Sequence, residues 1–336
     1  MLSFFCLWTS LALAEDAFTL EVVQVAQQGT GLPRLSVLVN SDLSALSIDL
    51  RCGSLPVTAG GAPSAGERLD VDIPLPSPGT ASCTGSLAAT FTDGSHGTMP
   101  LQFDATLLAP IEVTADREQL DLQAHALVVA LSRPAARVTV EASGLDGILG
   151  EGSVDVTGLP AGEPISISWS QPDGAEVLQL RLRAEDAEGF WAALDLFPWS
   201  YAIPHEDVVF ASGAAEVRTT EAPKLTEAMS EISAVEAKYG QLAQVNLYVA
   251  GYTDTVGGGA VNRALSERRA RAIAAWFRAA GFTGAIFYQG FGEEGLLVET
   301  GDEVDEPRNR RAAYIVAAEA PPPSPAMPGA RWSRLP

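Results

Sequence analysis

Cations are scarce in this chain of 336 residues: Lys and Arg number 21 against 42 Asp and Glu, a formal net charge of −21. Such a surface repels phosphate backbones and anionic lipid headgroups, so no nucleic acid is expected as a partner. Histidine is rarer still, with His96, His125 and His205 making three. So few imidazoles do not build a His-rich metal centre. His205 opens the run HEDVV, which begins like a zinc-protease helix, but the residue four positions on is Val209 and the second imidazole is missing. A Gly-x-Ser-x-Gly elbow is absent, and the glycine run GGGAVNRALS lacks the Gly-Lys-Ser/Thr of a phosphate cradle. The acidic run from Glu293 to Glu306 lacks the spacing that wraps calcium and reads as a solvated loop. These absences leave no catalytic residue, metal site or cofactor to nominate, and the chain does not read as an enzyme.

Long apolar runs are missing too. No segment beyond the N-terminus reaches the ~18 consecutive apolar residues of a membrane-crossing helix. The N-terminus itself, MLSFFCLWTSLALA, is a short apolar run closed by small residues and followed by Glu15 and Asp16. It predicts a signal peptide over residues 1–14 and an exported mature chain. Tyrosine does not occur before Tyr201, which argues against an outer-membrane barrel with aromatic girdles in the first half. Of three cysteines, Cys6 falls in the leader, leaving Cys52 and Cys83. An even pair in an oxidising compartment predicts a disulfide, worth roughly 3–4 kcal/mol for a loop of that length.

Hydrophobic residues make up 47% of the chain, enough for several packed cores. Residues 15–108 and 109–200 show short alternating or apolar segments such as LSVLV, ARVTV and ISISW, separated by Gly/Pro/Asp clusters. That pattern predicts two antiparallel, immunoglobulin-like β-sandwiches, the first holding the disulfide. After Tyr201 the period changes. Val208, Val209 and Phe210 read as a strand; 223–239 carries Leu225, Met229, Ile232 and Val235 at helical spacing. Residues 245–249 alternate, about 264–280 read as a second helix, and 286–288 and 313–316 supply two further strands. This order predicts an α/β sandwich over 204–318, with helices on one face of a mixed sheet. The end, PPPSPAMPGARWSRLP, reads as an extended or disordered tail over 319–336.

One stretch carries chemistry: GYTDTVGGGAVNRALSERRARAI, beginning at Gly251. Asp254 follows a predicted strand, three glycines make a loop, Asn262 is placed to cap the next helix, and Arg269 lies one turn beyond Ser266. An Asp in a turn often bonds only local N–H groups, and an Arg on a helix is often a solvated face. Held apart by a flexible loop, however, a carboxylate and a guanidinium suit a ligand that carries an ammonium and a carboxylate.

The run Thr253, Asp254, Gly257, Asn262, Leu265, Ser266, Arg268, Arg269, Ala270 resembles the signature of the OmpA-like peptidoglycan-binding domain family. Gly290-Phe291-Gly292-Glu293 and Asn309-Arg310-Arg311 follow in that family's order. The resemblance covers about residues 204–318 and implies a βαβαββ fold that holds peptidoglycan non-covalently through the diaminopimelate of its peptide stems. By position it implies Asp254 on the ammonium and Arg269 on the carboxylate, Thr253, Asn262 and Leu265 around the pocket, and Arg310 or Arg311 from the neighbouring strand. It further implies the periplasm or cell envelope, near the outer membrane. A second reading makes the domain a tether for a sensor or scaffold whose sandwiches bind an envelope protein or a glycan.

Overall fold

The computed structural model describes residues 17–211 and 213–336; the leader expected over residues 1–14 lies outside them. Among the described residues, twenty strands and two α-helices form three packed units in chain order.

In the first unit a three-stranded sheet, β1 (Phe18–Val23), β3 (Arg34–Val39) and β6 (Arg68–Asp72), faces a five-stranded one. The latter holds β2 (Val25–Gln27), β4 (Leu43–Cys52), β5 (Leu55–Gly61), β7 (Gly79–Phe91) and β8 (His96–Leu108), in the order β2-β8-β7-β4-β5. Burial alternates residue by residue along β4 and β8, as expected of strands with one wet face. Leu35, Val37, Ile48, Leu87 and Phe103 from both sheets share one core. Cys52 and Cys83 are directly opposite in the β4–β7 ladder and are joined by a disulfide.

The second unit repeats the scheme. β9 (Val113–Asp121), β10 (Ala126–Leu131) and β13 (Ile165–Ser168) face β11 (Arg137–Gly144), β12 (Gly147–Asp155), β14 (Gln179–Glu185) and β15 (Trp191–Leu196) across one core. Arg133 ties the two units together. It donates to Ala109 O at 2.7 Å and to Gln27 Oε1 at 3.1 Å, and pairs with the buried Asp186 at 2.8 Å.

The third unit is a five-stranded mixed sheet in the order β16-β19-β17-β18-β20. Its elements are β16 (Ser200–Ala202), α1 (Ala222–Tyr239), β17 (Asn246–Tyr252), α2 (Gly259–Ala279), β18 (Ile286–Gly292), β19 (Ala312–Ala317) and β20 (Ser333–Arg334). Both helices share one core with Leu247, Val249 and Val316 of the sheet. A stacked cluster of Trp199, Tyr201 and Tyr239 joins this unit to the second, and the Tyr201 hydroxyl reaches both Glu176 and the Tyr239 hydroxyl.

Three expectations are corrected here. Val208, Val209 and Phe210 form no strand; the first strand of the sheet is β16, antiparallel to β19. Val208 instead drops into the core, and the Val209 N–H donates to the Glu221 carboxylate. Helix α2 begins at Gly259, earlier than its apolar periodicity suggested, because the extended Gly258 already turns the chain into it. The C-terminal segment is not disordered. It crosses the sheet face opposite the helices, where Met327 and Trp332 pack on Tyr248, Phe287 and Phe291. Its last residues pair with β18 as β20, and Leu335 enters the core. Proline-rich composition hid this, since an extended chain with no internal hydrogen bonds can still bury its apolar side chains.

Candidate functional site

Strand β17 is buried along nearly all its length, between the helices on one side and the C-terminal segment on the other. Its continuation is therefore the floor of a loop cluster at the strands' C-terminal ends, where α/β sheets gather ligands. Thr253 is buried, and its N–H donates to Gly292 O at 2.8 Å. Asp254 follows, only 7% exposed. Its Oδ1 accepts from the Val256 N–H at 3.4 Å and its Oδ2 from Arg310 Nη1 at 2.5 Å. Arg310 also reaches Asp305, and the bonds to Asp254 and then Asp305 push its guanidinium above its ordinary value.

The start of α2 is held close to the sheet by missing side chains. A Cβ on Gly290 would lie 2.2 Å from the Glu267 N–H nitrogen, and one on Gly292, at φ +59°, 2.9 Å from that of Arg263. Only glycine permits that approach. The buried Ser266 fills what remains, accepting from the Gly292 N–H at 2.9 Å and donating to Arg263 O.

Asn262 does not cap α2. It lies within the first turn, and its amide reaches Val256 O at 3.2 Å and Glu293 Oε2 at 2.8 Å, with longer contacts to Asp254 O and Gly257 O. It fastens the Asp254 loop to the helix. Asn309 plays the same part across the site. Its carbonyl accepts from the N–H groups of Leu297 and Val298, and its amide donates to Val298 O.

Arg269 extends from α2 toward the loop before α1. Its Nε donates to Ala214 O at 3.0 Å, and its guanidinium sits 5.0 Å over the Phe210 ring. Burial first, then the charge of Arg310, lowers its pKa, while Asp254 opposes both. Arg311 stacks 3.9 Å over Tyr252 and donates to Gly295 O; its Nη1 is buried without a partner among the described residues. Arg269, Arg310 and Arg311 line one narrow cleft of about 10 Å³ with Phe210, Tyr252 and Val208. Asp254 is bonded to Arg310 at that cleft. Leu265 is half-buried and does not line it, and the Thr253 hydroxyl is buried with no partner among the described residues.

Sequence reasoning missed Phe210 and Asp305, and placed Glu293 in the family signature without assigning it a contact. Phe210 was read as a strand residue, while Asp305 and Glu293 lay in the acidic run read as solvated. That run in fact folds over the Asp254 loop: the Glu303 N–H donates to Thr255 O, and its carboxylate accepts from the Gly257 N–H. Chemically, the cleft offers three guanidinium groups, with one carboxylate, Asp254, bonded to Arg310 beside it.

The OmpA family model matches residues 209–310, which contain Asp254, Arg269 and Arg310; Val208 and Arg311 flank that span. This segment is an OmpA family domain. Among known proteins, outer membrane protein P5 of Haemophilus influenzae is 31% identical over 118 residues, 35% of this chain and 30% of that protein. Outer-membrane lipoprotein YfiB of Pseudomonas aeruginosa is 41% identical over 70 residues, 20% of this chain and 42% of the relative. A solved structure of the peptidoglycan-associated lipoprotein from Burkholderia pseudomallei is 21% identical with a TM-score of 0.27, covering 33% of this chain and 88% of that one. The match to P5 spans less than a third of that protein's length, and the two sandwiches of this chain lie outside residues 209–310. Among the described residues no helix is long and apolar enough to cross a membrane.

Proposed function

We propose that the OmpA domain binds cell-wall peptidoglycan non-covalently through the diaminopimelate of its peptide stems, anchoring an envelope protein to the wall. The observation that carries this reading is the meeting of a nearly buried carboxylate, Asp254, with Arg310 and, through its charge, with Arg269, the two arginines that line one cleft. A diaminopimelate side chain ends in an ammonium and a carboxylate on one carbon. The ammonium takes the Asp254 carboxylate in place of Arg310 Nη1, and Arg310 keeps its second acid, Asp305. The ligand carboxylate lies on Arg269, whose Nε is already fixed by Ala214 O, so its remaining N–H groups present a pre-set fork. The long contacts of Asn262 to the loop carbonyls keep the acid at its station. The domain does no chemistry on its ligand.

Charge-assisted hydrogen bonds contribute about 1.5–3 kcal/mol each, so single-stem affinity is modest, and many stems on one polymer supply rebinding. Co-sedimentation with purified sacculi tests the reading. The wild-type chain pellets and free diaminopimelate competes it off. Asp254→Ala and Arg269→Ala each weaken the association by about tenfold or more. If both variants pellet like wild type, this cleft is not the wall site.

A further inference from the structure

Helix α2 has a second polar flank. Arg263 and Glu267, one turn apart, face away from Asn262 and Arg269. With Gln289 and Gly290 of β18 and with Pro328 and Arg331 of the C-terminal segment, they enclose an open groove of about 650 Å³. Arg263 is already satisfied by Glu294 at 2.5 Å. The Glu267 carboxylate and the Arg331 guanidinium have neither an ion pair nor a hydrogen bond among the described residues.

The backbone supplies a third feature. β20 pairs with β18 through Phe287↔Arg334 and Tyr288↔Ser333, and the Leu335 N–H donates to Ile286 O at 2.8 Å. In this antiparallel alternation the outward backbone groups of β18 belong to Ile286, Tyr288 and then Gly290. Continued register would set Arg331 opposite Gly290. The Arg331 N–H is instead turned onto Gln289 Oε1 at 2.5 Å. Pairing stops there, and Gly290, itself buried, borders the groove with no β20 residue paired opposite it.

An open strand edge takes an extended chain by main-chain bonds. An unpaired guanidinium on one wall and an unpaired carboxylate on the other select a chain that carries a carboxylate and an ammonium. We propose that this groove is a second peptide site, which holds an extended stem peptide of the wall. Gly290 makes the main-chain bonds, Arg331 receives a free carboxylate of the stem, and Glu267 faces its amino group. The choice of a wall stem rests on the peptidoglycan reading above. Groove and cleft lie on different flanks of α2, so the domain grips two stems rather than one.

Equilibrium dialysis of the full chain against the synthetic stem tetrapeptide Ala–γ-Glu–diaminopimelate–Ala tests this. Wild type binds two equivalents at saturation. The Glu267→Gln/Arg331→Gln double variant and Asp254→Ala each lose one of them, a weakening of about tenfold or more in that step. Glu267 and Arg331 are exposed, so the double variant unfolds at the wild-type temperature. A single equivalent in wild type, lost in Asp254→Ala and kept in the double variant, overturns the groove and leaves the cleft standing. A single equivalent lost only in the double variant overturns the cleft and leaves the groove. If an all-L peptide of the same charges, Ala-Glu-Lys-Ala, occupies the groove as tightly as the stem, the wall is not its partner and a protein segment is.

Discussion

Strand β8 of the first sandwich and strand β17 of the OmpA domain show how differently the two ends of this molecule use a sheet. In β8 every second residue is buried and the others face water; one layer covers it and nothing reactive is trapped. In β17 the burial is nearly continuous, with Leu247 and Val249 under the helices and Tyr248 and Tyr252 under the C-terminal segment. A sheet covered on both faces can hold a carboxylate such as Asp254 nearly dry at its end, where charge recognition is strong. The sandwiches are one-sided supports; the domain is a three-layer clamp.

If that contrast is right, removing the third layer is the most damaging change to the domain and costs the sandwiches nothing. Truncation after residue 325 strips Met327, Trp332 and Leu335 from buried or half-buried positions and removes β20. At roughly 1.5–3 kcal/mol per buried side chain, the loss is on the order of 5 kcal/mol. Calorimetry of the truncated chain shows the OmpA-domain transition collapse while the sandwich transitions stay in place. A truncated domain that melts as before breaks the comparison.

The converse change is smaller. The bridge between Cys52 and Cys83 closes a separation of 31 residues within the first sandwich, and its loss costs about 3–4 kcal/mol in the chain-entropy model. Cys52→Ser/Cys83→Ser lowers the first sandwich's melting transition and leaves sedimentation with sacculi unchanged. Reduced sedimentation would mean that the sandwich helps to hold the cleft proposed as the wall site together.

The same contrast explains what could be read from residues alone. The sandwiches were legible because alternation reports one-sided burial directly, and the disulfide because two cysteines beyond the expected leader leave one pairing. Helix α1 was legible from Leu225, Met229, Ile232 and Val235, and the Asp254–Arg269 stretch from the types and order of its residues. What stayed hidden depends on long-range contact. Arg310 finds Asp254 56 residues away in sequence, and Phe210 lies beneath Arg269 rather than in a ladder. Asn262 sits where a cap was expected, but turns its amide back onto loop carbonyls that no periodicity predicts. The packing of the tail's Trp332 was hidden because nothing local says that Tyr248 and Phe291 are left uncovered.

The smallest effect separates the two regions by how far one acid's influence travels. In the first sandwich Asp93 is held below its ordinary pKa by the Ser95 hydroxyl and N–H, within a single turn. Glu306 is lowered to about 2, first by the side-chain bond from Arg308 and then by the Arg308 N–H. It caps the short turn that presents Asn309, which pins the loop over the cleft. Because its folded pKa is depressed, the ionised Glu306 contributes fully above its unfolded value near 4.5, and that contribution fades as pH falls toward 2. The backbone amides of Arg308, Leu297 and Val298 therefore stay fixed from pH 6 to about 4.5 and then shift with a midpoint near 2 in an NMR titration. The Ser95 amide moves without disturbing residues beyond its turn. In Glu306→Gln the low-pH step at Leu297 and Val298 is gone. A midpoint at an ordinary carboxylate pH would show that the Arg308 pair does not hold this turn, and that Asn309 fastens the loop unaided.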